Sequence, residues 1–545
     1  MNRRESRMIK KMLRIGFSVT AIVAFSACGK KESDSQAASQ DYELTNVAFP
    51  LKEKVELNML VSESPTAPKD PNDMLIFKRL EEQSNVHINW TNYPNDFAEK
   101  RNLDIASGDL PDAIFNAGAS EQDLLTWGQN GVIVPLEDAI EQYMPNLQKV
   151  FEEAPEYKQM LTAPDGHIYS LPWIEELGEG KKSIHTVNSL GWINQAWLTK
   201  LGLAHPKNAE ELYNVLKAFK EKDPNGNGEA DEIPLSFISN DDGNDLKMLF
   251  AAFGDGTGDN GNHLVVDDQG KVQFTANTEN YKKAVKFFNK AYEEGLIDSE
   301  SFEQDWSRYV AKGNDQKYGM YFTWDPHNVT GDTEDYVMYQ PMANETGEIN
   351  VTRTNNFGFS RDRFVITSAN KNIELTAKWI DQMYDPIQSV QNNWGTYGDE
   401  GQNIFSYDEE KNQLIHEPLE GSAPVEVRQK TAVGGPLAIL DTYYGQYTTM
   451  PDDAKWRLDL MDEYIFPHVQ YENNYPNIFL SAEDTKRLAD IDADMQDYIL
   501  RKRDEWITKG NIDQEWDDYL KQLDAFGLNE WLEIKQRNYD AYTKG

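Results

Sequence analysis

Cysteine is nearly absent from this chain of 545 residues, because Cys28 is the only one. A single cysteine excludes any disulfide within the chain. Exported domains often use disulfides for stability, so this chain must rely on a large core, or on a bound ligand or metal ion. About 500 residues follow Cys28, which is enough for more than one domain.

Long hydrophobic runs are also missing. The longest, Ile15–Cys28, is too short for a membrane span of about 20 residues. It follows a basic segment, residues 1–14, and this order is typical of a secretory signal. The ending Phe25-Ser-Ala-Cys28 resembles a bacterial lipoprotein signal, although Leu is usual where Phe25 stands. We therefore predict a signal peptide over 1–28 with a lipid on Cys28. An uncleaved anchor, or an ordinary secreted protein with a chance cysteine, is the alternative.

The polar segment after the signal is rich in Ser, Gln and Ala, and we predict a disordered tether over 29–45. Two or more acyl chains on Cys28 would hold the protein firmly at a membrane, whereas one chain would hold it only marginally. The predicted location is therefore the extracytoplasmic face of the cell membrane.

Positive charge is scarce. The chain has 53 Lys and Arg against 92 Asp and Glu, a net charge of −39. Such a surface repels nucleic acid and anionic lipid, and it suits neutral or cationic ligands, although solubility alone explains much of the charge. Aromatic residues are plentiful, with 13 Trp and 26 Tyr. Their flat apolar faces stack on sugar rings, but they also fill ordinary cores.

Catalytic motifs are lacking as well. The sequence contains no G-x-S-x-G, no H-E-x-x-H and no Walker loop. With so many acidic residues, a pair of carboxylates at glycosidase spacing carries little information. The scattered His167, His185 and His327 have no cysteine partner and are interpreted as surface or packing residues. We expect a protein that is not an enzyme.

The pattern after residue 46 alternates between strand and helix. Val55–Val61 and Val86–Trp90 read as buried strands, each followed by an amphipathic helix, and Ala113–Asn116 reads as a third strand. This alternation predicts an α/β lobe with a mostly parallel sheet. The chain beyond about Asn412 reads as mostly helical, with strong helical patterns over Ala454–Glu463, Glu483–Ile507 and Asp513–Asp540.

A candidate calcium loop follows the helix that starts after Asn208. It matches the first two thirds of the pattern D-x-[DN]-x-[DN]-G, with hard oxygen ligands suited to calcium. Its predicted ligands are Asp223, Asn225, Asn227, Glu229 through its backbone carbonyl, and Asp231. Pro234 stands where the pattern has Glu, and Glu232 is the candidate substitute. We predict a structural calcium ion here; the alternative is a plain Asn/Gly turn between a helix and a strand.

Several segments carry a specific resemblance. They are GWINQAWLTKLGLAHPKNAEELYNVLKAFKEKDPNGNGEADEIPL, SGDLPD, DGHIYSLP and the tail DQEWDDYLKQLDAFGLNEWLEIKQ. Together they resemble family 1 extracellular solute-binding lipoproteins of Gram-positive ABC importers, over nearly all of the mature chain. The most similar branch includes lipoproteins linked to oligosaccharide uptake, and alginate-binding relatives that hold calcium in the matching loop.

The resemblance implies a two-lobed α/β fold of the periplasmic-binding-protein type II class. In it, helices flank mixed sheets, extra helices follow at the C-terminus, and the ligand lies in a cleft between the lobes. RFVITSANKN should return the chain to the first lobe. The expected division is 46–173 and 345–411 for lobe 1, and 174–344 and 412–545 for lobe 2. The expected partners are the permease subunits of the importer, and the protein should be a monomer.

The candidate ligand-binding residues end predicted strands or lie in loops near the predicted crossovers. Aromatic planes and fixed polar groups cooperate in binding pyranose rings. The leading candidate is Trp324, which leaves a strand, and Trp394 lies in a Gly-rich loop that resembles a cleft loop of the family. The full set is Tyr93, Asp96, Asn116, Trp173, Trp324 and Trp394. For each residue the alternative is packing in the core or at the hinge.

Two classes of function follow from these features. The first is a transport receptor that closes its lobes on a solute, most simply an oligosaccharide, and delivers it to a membrane permease. The second is a lipid-anchored surface glycan hydrolase or adhesin. A receptor for peptides or other solutes is a third interpretation, because the sequence does not select the solute.

Overall fold

The computed structural model describes residues 46–544, apart from 180–181, 242, 255–258, 332–333, 355–357, 400 and 420–423. All of these residues belong to one compact unit, Glu43–Gly545. The predicted signal peptide, Cys28 and the tether over 29–45 lie outside the described residues. Within the described part, no helix combines the length and apolarity needed to cross a membrane.

The strands are short, and most belong to one of two mixed sheets. In chain order they are β1 (Val55–Val61), β2 (Val86–Asn92), β3 (Ala113–Phe115), β4 (Leu171–Glu175), β5 (Gly178–Glu179), β6 (Lys182–Ser183), β7 (Gly191–Asn194), β8 (Ile233–Leu235), β9 (Asp259–Asn260), β10 (Leu264–Val266), β11 (Val272–Phe274), β12 (Tyr318–Phe322), β13 (Tyr336–Met338), β14 (Thr352–Arg353), β15 (Phe359–Ile366), β16 (Phe405–Asp408), β17 (Gln413–His416) and β18 (Leu437–Ile439).

The α-helices lie between the strands and dominate the C-terminal part. They are α1 (Leu75–Ser84), α2 (Phe97–Ser107), α3 (Glu121–Gln129), α4 (Glu137–Tyr143), α5 (Pro145–Glu153), α6 (Pro155–Leu161), α7 (Gln195–Leu201), α8 (Ala209–Glu221), α9 (Glu279–Glu293), α10 (Trp306–Asn314), α11 (His327–Thr330), α12 (Ile373–Asp381), α13 (Pro386–Trp394), α14 (Pro424–Thr431), α15 (Asp452–Tyr464), α16 (Ala482–Lys509), α17 (Ile512–Phe526) and α18 (Leu528–Lys544).

The first lobe is built on a six-stranded sheet in the order β18-β4-β15-β3-β1-β2. Strands β1, β2 and β3 are parallel, while β15 is antiparallel to both of its neighbours. Leu57 and Met59 of β1 belong to the core on one face, and Leu60 belongs to the core on the other. The strand therefore alternates apolar and polar residues as far as Asn58 and continues with the buried run Met59–Val61, because both faces are covered at that end.

The second lobe is built on a four-stranded sheet in the order β13-β7-β12-β8. Every residue of β12 is buried; Met320 and Phe322 belong to one core cluster, and Tyr318 and Tyr321 belong to another. Helices α9, α16, α17 and α18 contribute to the first of these cores. Two sheets with separate cores confirm the predicted two-lobed α/β class.

The chain passes between the two sheets three times: between β4 and β7, between β13 and β15, and between β18 and α15. The return to the first lobe through β15 is as predicted. The assignment of all of 412–545 to the second lobe is wrong for β18, which pairs with β4 in the first sheet. A buried run of three residues has no periodicity from which its sheet could be recognised.

The predicted helix over Asp513–Asp540 is in fact two helices. Helix α17 ends at Phe526 and α18 begins at Leu528. Between them Gly527 has φ 109°, which a residue with a side chain rarely adopts. The apolar pattern continues across this break, and so the sequence suggested one helix.

Candidate functional site

A network of polar and aromatic side chains begins at the end of β4. Asn393 Nδ2 donates to Glu175 Oε1 at 2.6 Å, and His185 Nε2 lies 2.7 Å from Glu175 Oε2. The indole of Trp173 donates to Asn393 Oδ1 at 3.3 Å, and its ring meets His185 edge to face at 5.7 Å. Glu175 is buried. Both of its oxygens are therefore bound, which compensates for the loss of water around a buried carboxylate.

Trp394 ends α13 beside this network. The Arg428 guanidinium carbon lies 4.3 Å from the centre of the Trp394 ring, and Arg428 Nε donates to the carbonyl of Asn393 at 3.2 Å. Loss of water lowers the pKa of Arg428, and the charge of Glu175 opposes this shift. The indole under the cation and the carbonyl of Asn393 give Arg428 one defined position.

The second lobe contributes an acid held by two bases. Asp325, three residues past β12 and one past Trp324, lies 2.7 Å from His327 Nδ1 and pairs with Arg457 of α15. Burial raises the pKa of Asp325, but the hydrogen bond from His327 and the charge of Arg457 outweigh it and hold the pKa below its ordinary value. On the same helix Trp456 is 36% exposed and stacks on Trp192, with ring centres 5.3 Å apart.

The structure brings the three predicted tryptophans towards one region between the sheets. Trp173 packs on the first-lobe core, Trp324 on the second-lobe core, and Trp394 on both. The charges support this placement, because residues of both lobes act on Arg428. Glu175 of the first lobe raises the pKa of Arg428, and Arg457 of the second lobe lowers it.

The other three predicted residues lie at strand ends of the first lobe, outside this network. Asn116 follows β3 with φ 52° and donates to the Val433 carbonyl at 2.9 Å, while its Oδ1 is buried with no hydrogen-bond partner among the described residues. Tyr93 follows β2 and is half-buried; burial and the charge of Asp104 raise its pKa. Asp96 is exposed and precedes α2.

The sequence prediction missed the charged members of the network and Trp456. Glu175, Asn393, Arg428, Asp325 and Arg457 come from five separate segments, and none forms a motif with its neighbours. Asn393 could have been found, because it directly precedes Trp394 in the loop already selected.

The candidate calcium loop has a specific internal order. The carboxylate of Asp223 accepts from the backbone N–H groups of Gly226 (2.8 Å) and Gly228 (3.1 Å). The side-chain amides of Asn225 and Asn227 both donate to Asp231 Oδ1 at 3.0 Å. These hydrogen bonds lower the pKa of Asp231. The side chains of Asp223, Asn225, Asn227 and Asp231 therefore take part in the hydrogen bonds of one turn.

The donor set of this loop fits a hard cation. Glu232 Oε1 is buried without a hydrogen-bond partner among the described residues, and burial, together with Asp223 and Asp231, raises the pKa of Glu232. A divalent cation would relieve this repulsion. The acids are nevertheless not gathered around one point, and no three His, Cys, Asp or Glu side chains in the described part of the chain are arranged to hold a metal.

Comparisons with known proteins define the class. Residues 69–389 match the family described as bacterial extracellular solute-binding protein, and the chain belongs to this family. It is therefore a binding protein that acts outside the cytoplasm, and not an enzyme.

One curated relative is similar over almost its whole length. This chain is 60% identical over 523 residues to the fructooligosaccharide ABC transporter substrate-binding protein FusA of Streptococcus pneumoniae serotype 4, covering 96% of each chain. Two solved structures of FusA, one in complex with kestose and one of an EF-hand mutant in complex with fructo-nystose, each align with TM-score 0.86 and 61% identity. They cover 90% of this chain and 99% of theirs.

Proposed function

We propose that this protein is the substrate-binding component of an ABC importer, and that it captures a fructooligosaccharide by closing its lobes and delivers it to a membrane permease. The observation that carries the proposal is the 60% identity to a fructooligosaccharide-binding protein over 96% of both chains. The three crossings between the sheets support it, because short connections between two rigid lobes permit hinge closure.

The chemistry between the lobes suits a neutral, polyhydroxylic guest. The indoles of Trp173, Trp324 and Trp394 offer apolar faces for the C–H faces of sugar rings. Glu175 and Arg428 offer an acceptor and a donor for hydroxyl groups; Glu175 is held by the side chains of Asn393 and His185, and Arg428 by the Trp394 ring and the carbonyl of Asn393. We propose these five residues as ligand contacts, with Tyr93, Asp96 and Asn116 at the rim of the first lobe. The unpartnered Oδ1 of Asn116 supports its inclusion.

Calorimetry with purified residues 46–545 tests the proposal. Kestose and nystose should bind, and Trp394→Ala should weaken binding by at least tenfold, since it removes both the stacking face and the support of Arg428. Trp306→Ala is the matched control, because Trp306 is 42% exposed on α10 and belongs neither to the network at the end of β4 nor to the group around Asp325. A folded protein that binds neither sugar would overturn the proposed substrate.

The same samples separate the receptor from the hydrolase of the alternative prediction. Chromatography of the sugar after long incubation should return kestose intact. Release of fructose or sucrose that depends on the protein would contradict a purely binding role.

We also propose that the loop after α8 holds one structural calcium ion. The ligands would be the side chains of Asp223, Asn225, Asn227, Asp231 and Glu232, and the backbone carbonyl of Glu229. The unpartnered Glu232 oxygen and the existence of an EF-hand mutant of FusA support this site. Calcium would join the end of α8 to β8 and stabilise the second lobe by mass action.

Chelation tests the calcium proposal. EDTA should lower the melting temperature and calcium should restore it, whereas Asp223→Ala should melt at one temperature in both conditions. The exposed Asp524→Ala on α17 is the control variant. If wild type melts identically with and without chelator, and elemental analysis finds no calcium, the loop is a plain turn.

The anchor predicted at Cys28 remains a proposal for the full-length chain. We propose cleavage before Cys28 and acylation of its thiol and amine, which would tether the described unit through residues 29–45 to the outer face of the membrane. The family's location outside the cytoplasm is consistent with this arrangement.

A further inference from the structure

The second lobe carries a groove that is separate from the region between the sheets. It lies between the start of α8, the outer face of α9 and a turn over residues 343–348, and it encloses about 940 Å³. Its lining shares no residue with the tryptophan network or with the calcium loop. The volume is at the upper end of the range of ligand sites, which extends from about 300 to 1,000 Å³.

Three half-buried aromatic rings form the apolar part of the groove. Phe253 ends a 3₁₀ helix, Leu246–Phe253, and its ring centre lies 5.4 Å from that of Phe287 on α9. The ammonium of Lys290 lies over the ring of Tyr213 on α8, with Nζ 3.9 Å from the ring centre. Each ring is next to the buried stripe of its own element, so the core anchors it while part of it faces the groove.

The polar wall of the groove is fixed in place by one asparagine. Asn344 Oδ1 accepts from the backbone N–H groups of Thr346 (2.9 Å) and Glu348 (3.0 Å). Asn344 Nδ2 donates to the carbonyl of Gly254 at 2.9 Å, which ties the turn to the 3₁₀ helix. Because this wall is already ordered, binding a ligand would cost little conformational entropy there.

The charges of the groove nearly cancel, with Lys283 and Lys290 against Glu210, Glu345 and Glu348, although the chain as a whole carries −39. Lys283 pairs with Glu345 at 2.9 Å, and Lys290 is placed over a ring. A lining of aromatic faces, amides, hydroxyls and compensated charges recognises a neutral polyhydroxylic chain rather than an ion. We propose that this groove is a second binding site for a neutral oligosaccharide or polysaccharide, independent of the site between the lobes.

Native electrophoresis through gels containing a soluble polysaccharide tests this proposal. Inulin-type fructan, dextran and galactan are the probes, and the mature chain is compared with Trp394→Ala, Tyr213→Ala and Phe287→Ala. At least one polysaccharide should retard wild type and Trp394→Ala equally. The two groove variants should lose at least threefold in retardation while they keep the kestose affinity of wild type within twofold.

A further variant covers the case in which removing a ring unfolds the lobe. Asn280→Arg places a long side chain at the groove wall and leaves all three rings in place, and it should also abolish retardation. The proposal is overturned if none of the three probes retards wild type, or if Trp394→Ala alone abolishes retardation. Kestose binding is measured separately, so failure of the groove and failure of the proposed substrate are distinguishable.

Discussion

Glu63 is a buried acid whose loss of water is not offset by a positive charge, and replacing it gives a quantitative prediction. It lies two residues past β1, is 5% exposed, and has an Oε1 atom without a hydrogen-bond partner among the described residues. Burial raises its pKa from an ordinary 4.5 to about 8. At neutral pH the folded protein therefore binds a proton at Glu63 that the unfolded chain has released.

The magnitude follows from proton linkage. Between pH 4.5 and about 8 the folded state holds one more proton than the unfolded state, so the free energy of unfolding falls by ~1.4 kcal/mol per pH unit. The stability contributed by the neutral acid is complete below pH 4.5 and is lost as the pH rises through the folded value. At pH 7 the free energy of unfolding is therefore lower by about 3 kcal/mol than it would be with Glu63 neutral in both the folded and the unfolded state. Glu63→Gln keeps the shape but cannot titrate, so its stability should lack this slope.

Urea unfolding of wild type and Glu63→Gln at pH 5, 6, 7 and 8 measures the effect. The difference in unfolding free energy should shift in favour of the variant by about 1 kcal/mol per pH unit. The exposed Glu53→Gln is the control and should show no such trend. A difference that is constant from pH 5 to pH 8 would show that Glu63 is already ionised in the folded protein, and would refute the reasoning.

Three other predictions follow from the structure. The guanidinium of Arg503 lies 3.0 Å from the buried carboxylate of Asp245. Arg503→Met removes the partner of that carboxylate and should lower the free energy of unfolding in urea by about 3–5 kcal/mol. A decrease below about 1 kcal/mol would contradict a buried ion pair. Glu175→Gln should weaken kestose binding about tenfold or more in calorimetry at an unchanged melting temperature, and unaltered affinity would remove this acid from the site. Cys28→Ser should leave unprocessed or shed protein in detergent partitioning, and a mature acylated form would disprove the anchor.

The parts of the fold that the sequence predicted are those set by local patterns. Strand β1 was correctly bounded because an apolar run between polar segments is sufficient to define it. The turn after α8 was found because its candidate ligands alternate within nine residues, so their hydrogen bonds are nearly all local. Neither required knowledge of a distant part of the chain.

The candidate site could be predicted only in part, because its contacts are non-local. Asn393 meets Glu175 across 218 positions of the chain, and Arg457 meets Asp325 across 132. No periodicity within one segment specifies such pairs. The tryptophans could be selected by type and by their place at strand ends, but the acids and bases beside them are common residues without a distinctive spacing.

Local charge balance explains how so acidic a chain could present the proposed site for a neutral guest. Glu175 is bound by Asn393 and His185, and Asp325 is bound by His327 and Arg457, so neither acid needs a cation from solution. Held in this way, a carboxylate still has lone pairs for a hydroxyl donor, and Arg428 offers donors to a hydroxyl oxygen. An anionic solute would meet these fixed acids, and a cation would meet the arginines. If the proposed site is correct, the arrangement would discriminate by hydrogen-bond geometry rather than by net charge, which is the discrimination that the proposed sugar ligand requires.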